Sequence, residues 1–144
     1  MSLLGRQRRA TRAAFLVVGM ATAGWAPLVP YAKLRLGLDD AGLGLVLLVP
    51  GAGALLAMPL AGLAAHHLGT RTIALAGGLL FCAMLPLLAL APDAAWLAAA
   101  LVVFGAALGT VDIAMNAQAV VVERASARPL MSGFHGMYSL GGLL

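Results

Sequence analysis

Asp112 is the one acidic side chain inside the long apolar runs of this chain, and Asn116 follows it four residues later. Glu123 closes that run. Asp112 therefore lies eleven residues inside it, at a depth of about 16 Å along a helix. A carboxylate at that depth facing lipid would cost about 3 kcal/mol on insertion scales. Asp112 must face other helices or a water-filled cavity, or carry a proton. Acids at this position serve as proton or substrate sites, or they tie helices together by hydrogen bonds; the first role is the default reading. Gly105, Gly109, Asp112 and Asn116 recur at spacings of 4, 3 and 4 residues. On a helix they form one stripe, with two small residues for close approach and then two polar ones.

His135 is the second candidate. It stands a few residues into the next apolar segment, at a depth of about 8 Å. Asn116 and Gln118 lie at similar depth, about 8 to 11 Å, on the preceding antiparallel helix. An imidazole there can pass protons near neutral pH, or it can make a hydrogen bond at headgroup level. His66 and His67 are adjacent and diverge on a helix, so a loop reading is preferred over a metal site. Cys82 is a lone cysteine in an apolar run, which reads as a small buried residue. No nucleotide loop, Ser/His/Asp arrangement, catalytic pair or cofactor signature is visible. The expected classes therefore exclude an enzyme and call for no metal and no cofactor.

The elements that must position these residues are membrane helices. Of the 144 residues, 62% are hydrophobic and 10% charged. Soluble domains carry about 25% charged residues. The mean hydropathy of +1.01 excludes a globular core wrapped in a polar surface. The net charge of +4 includes Arg6, Arg8, Arg9 and Arg12, clustered directly before an apolar segment. That placement sets topology and does not suggest nucleic acid as a partner.

Helices are expected over about 13–34, 41–65, 71–91, 94–122 and 130–144, each of the first four long enough to cross a bilayer. The fold class is thus all-α, a polytopic transmembrane bundle with one domain over 1–144. The segment after Pro129 is too short to span at about 1.5 Å per residue and ends without a polar flank. The expectation is a chain truncated in its fifth helix. A basic n-region before an apolar stretch resembles a signal peptide, but further spans follow, so a retained helix is expected. Pro27, Pro30, Pro50, Pro59 and Pro86 fall inside the spans, where neighbouring helices tolerate kinks. Alternate connections place Arg6, Arg8, Arg9, Arg12, Arg71, Arg124 and Arg128 on one side, and Lys33 and Arg35 on the other. Positive-inside bias then puts the N-terminus in the cytoplasm.

Two motifs carry a family resemblance. The stretch GLAAHHLGTR over 62–71 resembles the loop between spans two and three of the major facilitator superfamily. Gly62, Gly69 and Arg71 fit that signature, and His66 stands where the family usually has aspartate. DIAMN over 112–116, with MSGFHGMYSLGG over 131–142, resembles the fucose-permease branch. The resemblance implies a transporter of twelve helices in the inner (plasma) membrane, of which this chain carries four and part of a fifth. It implies alternating access, a small polar solute as substrate and proton coupling through the acid at Asp112. Asn116 and Gln118 are expected as its polar partners. The branch has a cavity glutamine where His135 stands, and an asparagine where Tyr138 stands, so the substrate need not be fucose. The branch's first-helix acid has no counterpart in WAPLVP over 25–30. The implied partners are the solute, protons, the lipid bilayer and the missing C-terminal portion of the same chain. The alternative is a structural or assembly subunit of a membrane complex, in which Asp112 only ties helices together.

Overall fold

The computed structural model describes residues 2–144, which form six helices and, among the described residues, no strand. They are α1 (Leu3–Ala23), α2 (Leu28–Leu36), α3 (Asp40–Leu68), α4 (Thr70–Ala89), α5 (Ala94–Ser126) and α6 (Met131–Gly141). Four helical passes are long and apolar enough to cross a membrane, the first being α1 and α2 taken together.

Helix starts follow from local side-chain chemistry. The Asp39 carboxylate accepts from the Gly42 N–H at 2.7 Å and opens α3. Asp93 accepts from the Trp96 N–H at 2.8 Å and opens α5. Each satisfies one of the backbone donors that a first turn leaves unpaired. The acidic turn at Pro92-Asp93 is thus also a cap. Gly69 joins α3 to α4 with φ +84°, a conformation that disfavours any side chain. The family-like glycine of the loop is therefore required by the backbone itself.

The first pass departs from the single helix expected over 13–34. The basic tail is itself helical from Leu3, and the helix is interrupted between Ala23 and Leu28. Pro27 and Pro30 lack the N–H groups that would bond the carbonyls of Ala23 and Ala26. Those carbonyls are taken instead by the N–H groups of Ala26 at 3.0 Å and Val29 at 3.3 Å. The chain tightens into three-residue turns and then resumes as α2, without leaving those two carbonyls bare.

Burial sorts the helices into a centre and an exposed apolar rim. In α5, half of the most apolar window is buried, against 11% in α3. Leu48, Leu55, Leu56 and Leu60 on α3 are 67–77% exposed. An apolar face of that size is costly in water and costs nothing in hydrocarbon. One core cluster gathers Phe81, Phe104, Leu88, Leu97 and Leu101 between α4 and α5. Another gathers Phe15, Phe134, Val111, Met115 and Val122 between α1, α5 and α6. The Phe15 and Phe134 rings stack at 5.7 Å.

Glycines set the closest approaches. A methyl on Gly105 would strike the Pro50 backbone, and one on Gly53 would strike the Val102 carbonyl. Gly109 lies against Ala54, where a Cβ would stand 3.0 Å from the Ala54 Cα. The α3–α5 seam is therefore a glycine notch on each helix, filled by the other's backbone. The α1–α6 seam repeats the device, with Gly19 against the Tyr138 carbonyl and Gly141 against the Leu16 carbonyl.

Candidate functional site

The candidate site is built on α5. Its neighbours on that helix define where Asp112 points. Gly109 packs on Ala54, and Ile113 reaches to 4.0 Å of the Cβ position at Gly62, so this flank faces α3. Val111 and Met115 are buried in the cluster with Phe15 and Phe134, so the other flank faces α1 and α6. At about 100° per residue, Asp112 lies between these flanks. It opens toward the gap between α3 and the α1–α6 pair, and it is partly buried.

Asn116 closes on it from one turn along. The Asn116 Nδ2 donates to the Asp112 carboxylate oxygen Oδ1 at 3.1 Å and to the Asp112 backbone carbonyl at 2.9 Å. The four-residue spacing read in the sequence is thus a direct contact. One amide orients one carboxylate and leaves the second carboxylate oxygen free of any protein hydrogen bond among the described residues.

His135 lies on α6, which borders the same gap. Its Nδ1 lies 3.1 Å from the Met131 carbonyl, and its ring stands edge-on to Phe15 at 5.2 Å. The Met131 carbonyl can only accept, so Nδ1 is the donor. The ring is exposed rather than embedded. Tyr138, three residues on, is partly buried and packs against the Phe15 and Phe134 cluster.

Gln118 does not join this group. Thr70 Oγ1 donates to Gln118 Oε1 at 3.0 Å, which ties α4 to α5 on the far side of α5. Gln118 lines a separate cavity with Arg71 and Thr11, and Asp112 does not border it. Equal depth did not imply a shared face. Of the loop signature, Gly62 faces Ile113 on α5, Gly69 makes the positive-φ joint, and Arg71 borders the Gln118 cavity.

Sequence reasoning missed the role of Glu123, read there only as a boundary. Its carboxylate accepts from the N–H groups of Leu130 and Met131, both at 2.6 Å. It thereby holds the first turn of α6, the helix that carries His135 and Tyr138. An acid seven residues before an uncapped helix start was the available signal. Glu123→Ala is expected to loosen that turn. Amide exchange at Leu130 and Met131 should accelerate several-fold while exchange along α3 is unchanged, as read by hydrogen–deuterium exchange mass spectrometry.

The family model described as Major Facilitator Superfamily matches residues 13–144. The chain belongs to the Major Facilitator Superfamily. An uncharacterized MFS-type transporter of Yersinia pestis is 54% identical over 138 residues, covering 96% of this chain and 36% of that protein. Membrane protein MosC of Rhizobium meliloti is 39% identical over 127 residues, covering 88% of this chain and 31% of that one. An uncharacterized transporter of Sinorhizobium fredii is 37% identical over 136 residues, covering 94% and 36%. The chain thus spans about a third of the length of these curated relatives. No solved structure matches it. As a superfamily member with these four apolar passes, it is a multi-pass membrane protein.

Proposed function

We propose that the protein is a secondary active transporter of a small polar solute, driven by protons and working by alternating access, in the fucose-permease-like branch. Asp112 takes up the proton, Asn116 orients it, and His135 and Tyr138 border the solute path. The observation that carries this reading is the half-buried Asp112, held by one amide on its own helix and open to the gap between α3 and α6. A purely structural acid would be bonded across to a neighbouring helix, and Asp112 makes no such bond among the described residues. Family membership and the two relatives named as transporters support the class. The Asp-x-x-x-Asn contact supports the branch.

The test is flux in proteoliposomes of the full-length protein. Candidate sugars and other polar metabolites are offered with and without an imposed pH gradient. At least one solute is expected to accumulate only with the gradient, and an uncoupler should release it. Accumulation that follows a sodium gradient and ignores pH would overturn proton coupling.

The reading also places the N-terminus in the cytoplasm of the inner membrane, from the seven basic residues on that side against two on the other. With Cys82 and any other cysteine of the full-length protein replaced by serine, a single cysteine at Ser2 should resist a membrane-impermeant maleimide in intact cells. One at Gly37, in the loop after α2, should react. The reverse pattern would invert the topology.

A further inference from the structure

α6 starts without a cap of its own, because Leu130 at its N-terminal boundary has no polar side chain to offer. The first turn of a helix leaves backbone donors unpaired. Two of them here, the N–H groups of Leu130 and Met131, donate at 2.6 Å to a single oxygen, Oε2 of Glu123. Glu123 stands near the end of α5 and reaches past the connection over 127–130. The two helices are thus joined by a side chain as well as by the loop.

Met131 is the middle member of a longer path of bonds. Its N–H donates to Glu123, and its carbonyl accepts from Nδ1 of His135 at 3.1 Å. Helical side chains lean toward the N-terminus, so the His135 ring reaches back over the turn that Glu123 holds. Phe134 is buried and stacks on Phe15, which secures α6 from its second turn onward. The turn before it is the one Glu123 secures, and the Met131 carbonyl belongs to that turn. Phe15 also meets the His135 ring edge-on at 5.2 Å. That contact limits where the ring lies but does not choose which nitrogen carries the proton. The Met131 carbonyl does choose, because it can only accept. Neutral imidazole in water prefers the opposite form, with the proton on Nε2. Release of the first turn would swing the Met131 carbonyl away and return the ring to that preference.

We propose that Glu123 is the positioning residue of His135: through Met131 it holds the ring in one orientation with the proton on Nδ1. Its bearing on transport rests on the reading above, in which His135 borders the solute path. Both bonds end on one oxygen, so the position requires reach rather than charge. An amide oxygen has two lone pairs and can take both N–H groups. Glu123→Gln therefore keeps the arrangement, whereas Glu123→Asp keeps the charge and falls one carbon short.

The test is nitrogen NMR of the full-length protein in nanodiscs, with isotope-labelled histidines, at alkaline pH where imidazole is neutral. The His135 signals are those lost in His135→Gln. Wild type should carry the proton on Nδ1, and Glu123→Gln should match it. Glu123→Ala and Glu123→Asp should shift the ratio of the two forms several-fold toward Nε2, with the other histidine signals unchanged. A wild-type His135 pattern in Glu123→Ala would overturn the proposal, and the same pattern in Glu123→Asp decides the matter if Glu123→Ala does not fold. A shift in Glu123→Gln as large as in Glu123→Asp would overturn it too, since charge would then be the requirement. Solute flux separates this proposal from the reading it rests on. Half-saturation should rise several-fold in Glu123→Ala, with the protons moved per solute unchanged. A shifted His135 pattern with unchanged half-saturation would uphold Glu123 as the anchor of the ring and remove His135 from the solute path.

Discussion

Asp112→Asn is expected to abolish proton-driven accumulation of solute, with a loss on the order of 10²-fold, the scale set by removing one positioned proton-transfer group. The substitution nearly preserves shape. The Asn116 Nδ2 can still donate to an amide oxygen at the Oδ1 position, so the contact at 3.1 Å survives. Yield and thermal midpoint in detergent should therefore match wild type, and the loss should be confined to transport. Asp112→Glu keeps the titratable group but lengthens the side chain past Asn116. It should retain part of the activity. Asn116→Ala removes the orienting amide and leaves the acid, and a smaller loss is expected. Should Asp112→Asn instead lower folded yield while the folded fraction transports normally, the acid would be a structural tie.

Gly105→Leu carries the largest expected effect on stability. Even a methyl at Gly105 meets the Pro50 backbone, so the larger side chain must force α3 away from α5. Overpacking costs typically 1–3 kcal/mol, occasionally more. Native proteins are stable by only about 5–15 kcal/mol. The displaced seam also contains Gly109 against Ala54, one turn from Asp112, so transport should fall along with stability. Gly53→Leu should act in the same way from the opposite helix. Gly51→Ala is the control, because nothing lies within 4 Å of the Cβ position there. The check is the temperature at which half of the full-length protein remains monodisperse in detergent. It should drop by several degrees for Gly105→Leu and Gly53→Leu, and hold for Gly51→Ala.

The long apolar runs made the passes readable from residue types alone, because each of the four reaches the bilayer thickness and the short connections carry the charge. The contact between Asp112 and Asn116 was readable because four residues make about one helical turn. Gln118 shows where counting depth fails. It lies about 9 Å further along α5 than Asp112, yet six residues rotate it about 120° away, toward Thr70. That rotation was available from the helical period, and depth alone concealed it. The interruption at 24–27 was not readable in place. Five prolines fall within the expected spans, and Pro50, Pro59 and Pro86 sit inside unbroken helices. Pro27 and Pro30 interrupt because they remove two donors within one turn. The grip of Glu123 on α6 depends on the path of the intervening loop, where Ala127 adopts φ 49°.

Solute-driven proton movement measures the proposed passage of the proton through Asp112 most directly. Full-length protein in proteoliposomes with an internal pH-sensitive dye receives a pulse of transported solute with no imposed gradient. Wild type should move protons with the solute and change the internal pH. Asp112→Asn should still exchange labelled for unlabelled solute across the membrane, and should show no pH change. A pH change of wild-type size in Asp112→Asn would contradict the account.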